Sequence, residues 1–94
     1  MRVPEHIAES LERYVQHGIP PGDCLRAILA NDLETSFMRA DPITTACMRD
    51  IVVYLGETVP REIRGSYEAV DGWQSTCLAR RRSGLDAART ERAQ

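Results

Sequence analysis

The residues of this 94-residue chain best suited to contact an anion are three consecutive arginines, Arg80, Arg81 and Arg82. A guanidinium group is planar and donates two parallel hydrogen bonds to a phosphate or a carboxylate. Arg89 and Arg92 follow the run and extend it into a basic C-terminal segment. The sequence therefore predicts an anion-binding site at 80–82. A solvated C-terminus without a partner is the alternative.

The charges of the chain are distributed unevenly. Residues 1–79 contain seven Arg and twelve Asp or Glu, a net charge of −5, whereas residues 80–94 have a net charge of +3. A basic segment on an acidic body can reach an anionic partner, or the acidic face of a second copy formed by Glu5, Glu9 and Glu12. We therefore expect a homo-oligomer. The net charge of −2 disfavours nucleic acid as a partner, because proteins that bind it usually carry a positive excess.

Asn31, Asp32 and Trp73 are the other candidate binding residues. Asn31 tolerates a left-handed backbone and Asp32 can cap a new helix, so the pair predicts a bend between two helices, with a single kinked helix as the alternative. Side chains at such a bend can orient a ligand or a partner, and capping alone is the alternative. Trp73 is the only Trp. It belongs either to the core or to an oligomer or ligand surface.

Catalytic constellations are not recognisable in the sequence. The histidines, His6 and His17, lie eleven residues apart and share no motif with a Ser or a Cys. Cys24, Cys47 and Cys77 are 23 and 30 residues apart, without a CxxC pair or zinc-ligand spacing. We therefore predict a protein that is not an enzyme and has no metal or cofactor, with reduced cysteines packed as small apolar residues.

Helix signals dominate the chain, and segments of alternating polarity are nearly absent. Apolar residues at spacings of three and four, with Asp23, Asp41 and Ser66 as caps, predict helices at 4–17, 23–30, 32–39, 41–56 and 66–82. The expected fold is all-α, a single small domain of four to five antiparallel helices over 1–84, followed by a basic tail at 85–94. Val52 and Val53 widen the apolar stripe of the fourth helix, so we expect that helix to be the most buried.

Glycine and proline mark the expected ends of these helices. Gly18 is expected to end the first helix, Gly56 the fourth and Gly84 the last. Leu33 and Phe37 continue the apolar face of the second and third helices, which predicts them inside the core. Gly72 lies within the last helix at a cost of about 1 kcal/mol relative to Ala, which suggests close packing there.

Several sequence features together resemble one family of small proteins, encoded by tailed phages and prophages of proteobacteria. The resemblance covers roughly residues 7–74, and its motifs are HGIPPG at 17–22, LRAILANDL at 25–33, RAD at 39–41 and IVVYL at 51–55, with Pro60, Gly65-Ser66 and Trp73. It implies a phage accessory protein that acts in the cytoplasm of the bacterial host. Consistent with this expectation, no apolar run approaches the roughly 20 residues of a membrane span, and the N-terminus lacks the apolar region of a secretory signal.

Two functions follow from this resemblance as expectations. The first is a non-enzymatic protein that antagonises a host defence system by binding a host protein, as anti-CRISPR proteins do. The alternative is an oligomeric sponge that sequesters a nucleotide immune signal. The sponge would use the arginine run at 80–82 for phosphates and the aromatic residues for base stacking, namely Tyr14, Tyr54, Tyr67 and Trp73.

Overall fold

Short apolar stripes separated by capping residues fold this chain into helices alone. The computed structural model describes the backbone of residues 3–93 and the side chains of residues 3–83. Its helices are α1 Glu5–His17, α2 Asp23–Leu29, α3 Leu33–Arg39, α4 Pro42–Ala46, α5 Met48–Thr58 and α6 Tyr67–Ala93, with a 3₁₀ turn at Arg61–Ile63. The described backbone contains no strand, which confirms the all-α prediction.

The capping residues act largely as the sequence predicts. Gly18 ends α1 with a φ of 64°, and Asn31 makes the bend between α2 and α3 with a φ of 61°. The side chains of Asp32, Asp41 and Ser66 accept hydrogen bonds from the backbone N–H three residues on, at 3.2, 2.7 and 3.0 Å. These bonds satisfy N–H groups that the first turn of a helix leaves without partners.

The cap predicted for α2 is wrong by one residue. Gly22 takes the N-cap position of α2 with an extended backbone, and no side chain accepts a hydrogen bond there. Asp23 lies instead within the first turn of the helix. A carboxylate at that place is still favourable, because the N-terminus of a helix carries a partial positive charge.

The helix predicted from 41 to 56 is divided and shifted. The amide of Cys47 shares its hydrogen bond between two carbonyls at 3.1 Å, which tightens the chain between α4 and α5. Helix α5 then continues past Gly56 to Thr58. Pro60, rather than Gly56, ends it, because a residue before proline is pushed out of the helical conformation. Val59 is accordingly extended, with φ −106° and ψ 122°.

Helix α6 is longer than the sequence predicts. It continues past Arg82 and past Gly84 to Ala93, so Gly84 does not end it. One glycine costs about 1 kcal/mol, too little to stop a helix flanked by good helix formers. The side chains of the predicted basic tail at 85–94, which include Arg89 and Arg92, lie outside the described residues. Among the described residues, no helix has both the length and the hydropathy needed to cross a membrane.

The core is centred on α2 rather than on the helix predicted to be most buried. Residues 25 and 27–29 of α2 are all buried, as is Ala30 directly after it, whereas Val52 and Val53 of α5 are 49% and 37% exposed. Helix α5 therefore buries one narrow stripe and leaves the opposite side open. The buried apolar cluster comprises Ile7, Leu11, Tyr14, Leu25, Ile28, Leu29, Ala30, Met48, Ile51, Leu55, Val59 and Val70.

Tyr14 joins the two ends of the fold. Its side chain is fully buried, and its hydroxyl donates a hydrogen bond of 2.6 Å to the carbonyl of Ile63. The backbone carbonyl of Tyr14 accepts from the amide of Gly18 at 2.9 Å and from Nε1 of Trp73 at 2.7 Å. Burial raises the pKa of Tyr14 to about 12, so this hydroxyl keeps its proton and stays a donor.

Gly18 is required by packing as well as by its backbone conformation. A Cβ placed on it would lie 2.5 Å from Cβ and 2.8 Å from Sγ of Cys77, a buried residue of α6. Gly72, by contrast, has no atom within 4 Å of such a Cβ, so the close packing suggested for it is wrong. The first and last helices therefore approach each other at Gly18.

These two glycines make a matched pair of substitutions. Gly18→Ala is expected to lower the free energy of unfolding by at least about 2 kcal/mol, because it combines a steric overlap with a left-handed backbone. Gly72→Ala, within open helix, is expected to raise it by about 0.5–1 kcal/mol. Urea denaturation followed by circular dichroism measures both. Equal effects of the two substitutions would contradict the contact between Gly18 and Cys77.

Candidate functional site

The bend at Asn31 and Asp32 is tied to the start of α6. One carboxylate oxygen of Asp32 accepts the amide of Thr35, and the other accepts the hydroxyl of Tyr67 at 2.6 Å. The hydrogen bonds from Tyr67 and Thr35 lower the pKa of Asp32, and the bond to Asp32 raises the pKa of Tyr67. Both carboxylate oxygens are thus engaged within the chain, while Asn31 is exposed.

Arg26 completes this polar cluster. Its guanidinium lies 4.6 Å from the centre of the Tyr67 ring, and one of its nitrogens donates to both carboxylate oxygens of Asp71 at 2.9 and 3.0 Å. The Arg26 and Asp71 side chains are 37% and 54% exposed, so water screens the pair and its contribution to stability is small. The cluster orients the first two turns of α6 against α2.

Trp73 and Arg80 form a second group further along α6. Trp73 is half-buried against the core, and the Arg80 guanidinium lies 5.5 Å from the centre of its ring system. The two residues are seven positions apart, or two turns, so they share one face of the helix. Arg80, Arg81 and Arg82 are all exposed, and none of them forms an ion pair with the described residues.

The sequence-predicted binding residues therefore do not form one site. Asp32 contacts α6 at Tyr67, thirteen residues before Arg80, and thirteen residues of α-helix span about 20 Å. Asn31 and Asp32 lie at one place on the surface. Trp73 and the arginine run lie at another, where a half-buried ring lies beside exposed guanidinium groups that form no ion pair with the described residues.

An exposed apolar surface on α3 and α5 was not predicted from the sequence. Leu33 is 72% exposed and Phe37 is 45% exposed, so their prediction as core residues is wrong. Between the two helices runs an apolar groove of about 350 Å³, whose walls include Leu33 and Val52. Met48 and Leu55, which belong to the core, lie at its base.

The reason for this exposure is the small residue that α3 buries instead. Ser36 is 3% exposed, and its carbonyl accepts a hydrogen bond of 3.3 Å from Sγ of Cys24 on α2. A serine at the contact lets α3 lie close to α2, and the large apolar residues beside it then point away from the core. A helix usually buries its large apolar residues and exposes its polar ones, whereas α3 buries a Ser and exposes a Leu and a Phe. Hydrophobic periodicity therefore predicted the wrong face of α3 to be buried.

The thiols described here are suited to packing. Burial, with a smaller effect from the Asp41 carboxylate, raises the pKa of Cys24, and its sulfur donates to a backbone carbonyl. A thiol of this kind stays protonated and is a poor nucleophile. Cys77 is buried beside Gly18, and Cys47 is half-buried against the core, in agreement with the apolar role predicted for them.

No protein-family model, curated protein or solved structure matches this chain. Its function is therefore inferred from the surfaces described above.

The contact between Asp32 and Tyr67 is testable by substitution. Asp32→Ala is expected to lower the melting temperature by several degrees, because it removes both the helix cap and the acceptor for Tyr67. Tyr67→Phe is expected to lower it less, and the double variant to lose less than the two single effects combined. Asp23→Ala, an exposed carboxylate that caps nothing, is the control and should change little.

The pH dependence gives an independent check on the same contact. The folded-state pKa of Asp32 is lowered, so its stabilisation is present above the ordinary value of 3.8 and is lost as the pH falls through the lowered folded-state pKa. Thermal melts between pH 2.5 and 7 should therefore show a smaller loss on acidification in Asp32→Ala than in the parent chain. Identical acid profiles would contradict the contact.

Proposed function

We propose that this chain is a non-enzymatic phage accessory protein that antagonises a bacterial host defence system by binding a host protein. Its place of action is the cytoplasm of the bacterial host. The observation that supports the proposal best is the apolar groove between α3 and α5, which the exposed side chains of Leu33 and Val52 line. Contiguous apolar surface on a small domain is typical of a protein-binding site.

The lining of the groove defines the chemistry of the partner. Arg64 is the one charged residue among the residues that line it, and Asn31 is a further polar residue there. Nε of Arg64 donates to the carbonyl of Val59 at 2.9 Å, which holds the guanidinium in place while its terminal nitrogens have no partner among the described residues. The matching partner is an amphipathic segment, with apolar side chains for the groove and a carboxylate for Arg64.

This docking surface predicts that negative charges introduced into the groove will lower activity. The double variant Leu33→Asp with Val52→Asp is expected to lose at least ten-fold of any protection that the chain gives to phages plated on defence-carrying bacteria. Both side chains are exposed, so the melting temperature should change by only a few degrees. The measurement is plating efficiency on strains with defined defence systems, beside the melting curve of each purified variant.

Leu78→Asp is the matched control, because Leu78 is also an exposed leucine but lies on α6, away from the groove. It should protect phages as well as the parent chain does. A photo-crosslinking residue at position 52 should capture the same host protein in each sensitive strain, and the same residue at position 78 should not. A folded double variant that still protects fully would show that this groove is not the docking surface.

The nucleotide sponge is the second candidate, and the arrangement of Trp73 and Arg80 favours it. An exposed guanidinium over an indole, followed by the exposed guanidinium groups of Arg81 and Arg82, is suited to a base and its phosphates. Tyr14 was expected to stack on the base, but it cannot do so because its ring is fully buried. One face of the Tyr67 ring is already covered by Arg26. Such a site would need a second copy to enclose the ligand.

Native mass spectrometry of protein purified gently from defence-carrying bacteria separates the two candidates. Surface antagonism predicts a monomer or a dimer without a nucleotide-sized adduct, or a complex with a host protein. A larger oligomer with an adduct of nucleotide mass would contradict surface antagonism and support the nucleotide sponge. In that case the triple variant Arg80→Ala, Arg81→Ala and Arg82→Ala should lose the adduct and stay folded, while Arg49→Ala, an exposed arginine of α5, should keep it.

A further inference from the structure

A cleft of about 600 Å³ lies between α1 and α2, and of its lining residues it shares Ile28 alone with the apolar groove. Its apolar lining comes from Ile7 of α1 and from Leu25 and Ile28 of α2, all of which are buried. Arg39, at the end of α3, and Thr44 of α4 also line it. Side chains from four helices thus meet around one space of the size that small-molecule sites usually have.

The polar lining of the cleft consists mainly of hydrogen-bond donors whose side chains have no partner among the described residues. Ser10 and Arg13 of α1 and Arg39 of α3 line the cleft, and the side chains of these three form no hydrogen bond or ion pair with another described residue. His6 is an exposed donor in the same lining. Exposed arginines are common, but two arginines from different helices beside one apolar cleft are a specific arrangement.

The carboxylates around the cleft are few. Asp23 is the one carboxylate among the described residues that line it. Its single negative charge does not balance the charges of the two arginines, so the lining has an excess of positive charge. Hydrogen bonds from Thr44 lower the pKa of the Asp41 carboxyl group, and His6 has a smaller effect in the same direction. The Asp41 carboxylate already accepts the amide of Thr44 at 2.7 Å as the cap of α4. It is therefore engaged within the fold, whereas Asp23 remains available as an acceptor.

The donors are spread along the length of the cleft. His6 in the first turn of α1 and Arg39 at the end of α3 both line it. Arg13 follows His6 by seven residues, about 10 Å along α1. A ligand with one compact anion would use one end only. A ligand that fills the cleft needs an anionic group, an apolar body and a hydroxyl or amino group for Asp23.

We propose that this cleft binds a small phosphorylated molecule of mononucleotide size. Arg39 and His6, or Arg13, hold the phosphate, because guanidinium groups donate in pairs to phosphate oxygens. The base lies on Ile7, Leu25 and Ile28, and Asp23 accepts from a ribose hydroxyl or an exocyclic amine. This site is independent of the apolar groove and of the arginine run, so it stands whether or not the proposed function is correct.

The test is a calorimetric titration of the full chain with adenosine 5′-monophosphate as the probe. The parent chain is expected to bind it, and to bind adenosine and inorganic phosphate at least ten-fold more weakly, since each lacks half of the contacts. The double variant Arg13→Ala with Arg39→Ala is expected to bind the nucleotide at least ten-fold more weakly than the parent. All the replaced side chains are exposed, and circular dichroism checks that the variant is folded.

Arg61→Ala is the matched control, because Arg61 is an exposed arginine of the 3₁₀ turn and does not line the cleft. It should bind the nucleotide as the parent chain does, and so should the double variant Leu33→Asp with Val52→Asp. In a nitrogen-15 NMR titration, the amides of Ser10 and Cys24 should shift. Failure of the parent chain to bind at millimolar nucleotide would overturn the proposal. So would equal weakening in the Arg61 control, or loss of affinity in the triple arginine variant at 80–82 alone.

Discussion

The fold depends on one buried residue, Tyr14, which makes polar contacts in three directions. Its hydroxyl donates to the 3₁₀ turn, its carbonyl accepts from the indole of Trp73, and the same carbonyl receives the amide of Gly18 that ends α1. A buried hydroxyl without an acceptor would lower the stability of the fold. The Tyr14 ring can therefore be buried only because the carbonyl of Ile63 accepts its hydrogen bond. The orientation of α6 against α1 is thereby fixed. Everything that lies on α6, including the pair Trp73 and Arg80, takes its position from this contact.

Local signals in the sequence were sufficient for most of the helices and for their caps. Asn31, Asp32 and Asp41 act through backbone atoms within four residues, so their effects are readable without knowledge of the fold. The errors arose where a distant contact decided the outcome. Gly72 faces open space, whereas Gly18 meets Cys77, 59 positions away, and the residues next to each glycine do not show which of them a distant helix approaches. The end of α5 likewise followed Pro60, whose conformational restriction outweighs the weak helix-breaking effect of Gly56.

The candidate binding surfaces were harder to predict for a common reason. The core is built mainly by α1, α2 and the inner stripe of α5, and this leaves the outer side of α3 and α5 without a covering element among the described residues. The spacing of apolar residues shows which face of a helix is apolar, but it does not show whether another element packs against that face. Leu33 and Val52 were misassigned for this reason. The donors around the α1–α2 cleft, Arg13 and Arg39 among them, are scattered singly in the sequence and come together only in three dimensions. The arginine run was visible because its members are consecutive.

The contacts of Tyr14 also set an order of events during synthesis. Its partners Ile63 and Trp73 are 49 and 59 residues further along the chain, so α1 lacks its polar contacts until both of these residues are available. Until then the apolar stripe of α1 and the face of α2 that meets α6 are open to other nascent chains and to chaperones, although α2 can already pack against α3. Docking of α6 then covers both. A chain that stops before Trp73 lacks the contacts that hold α1 in place, and we expect it to be a substrate for proteolysis.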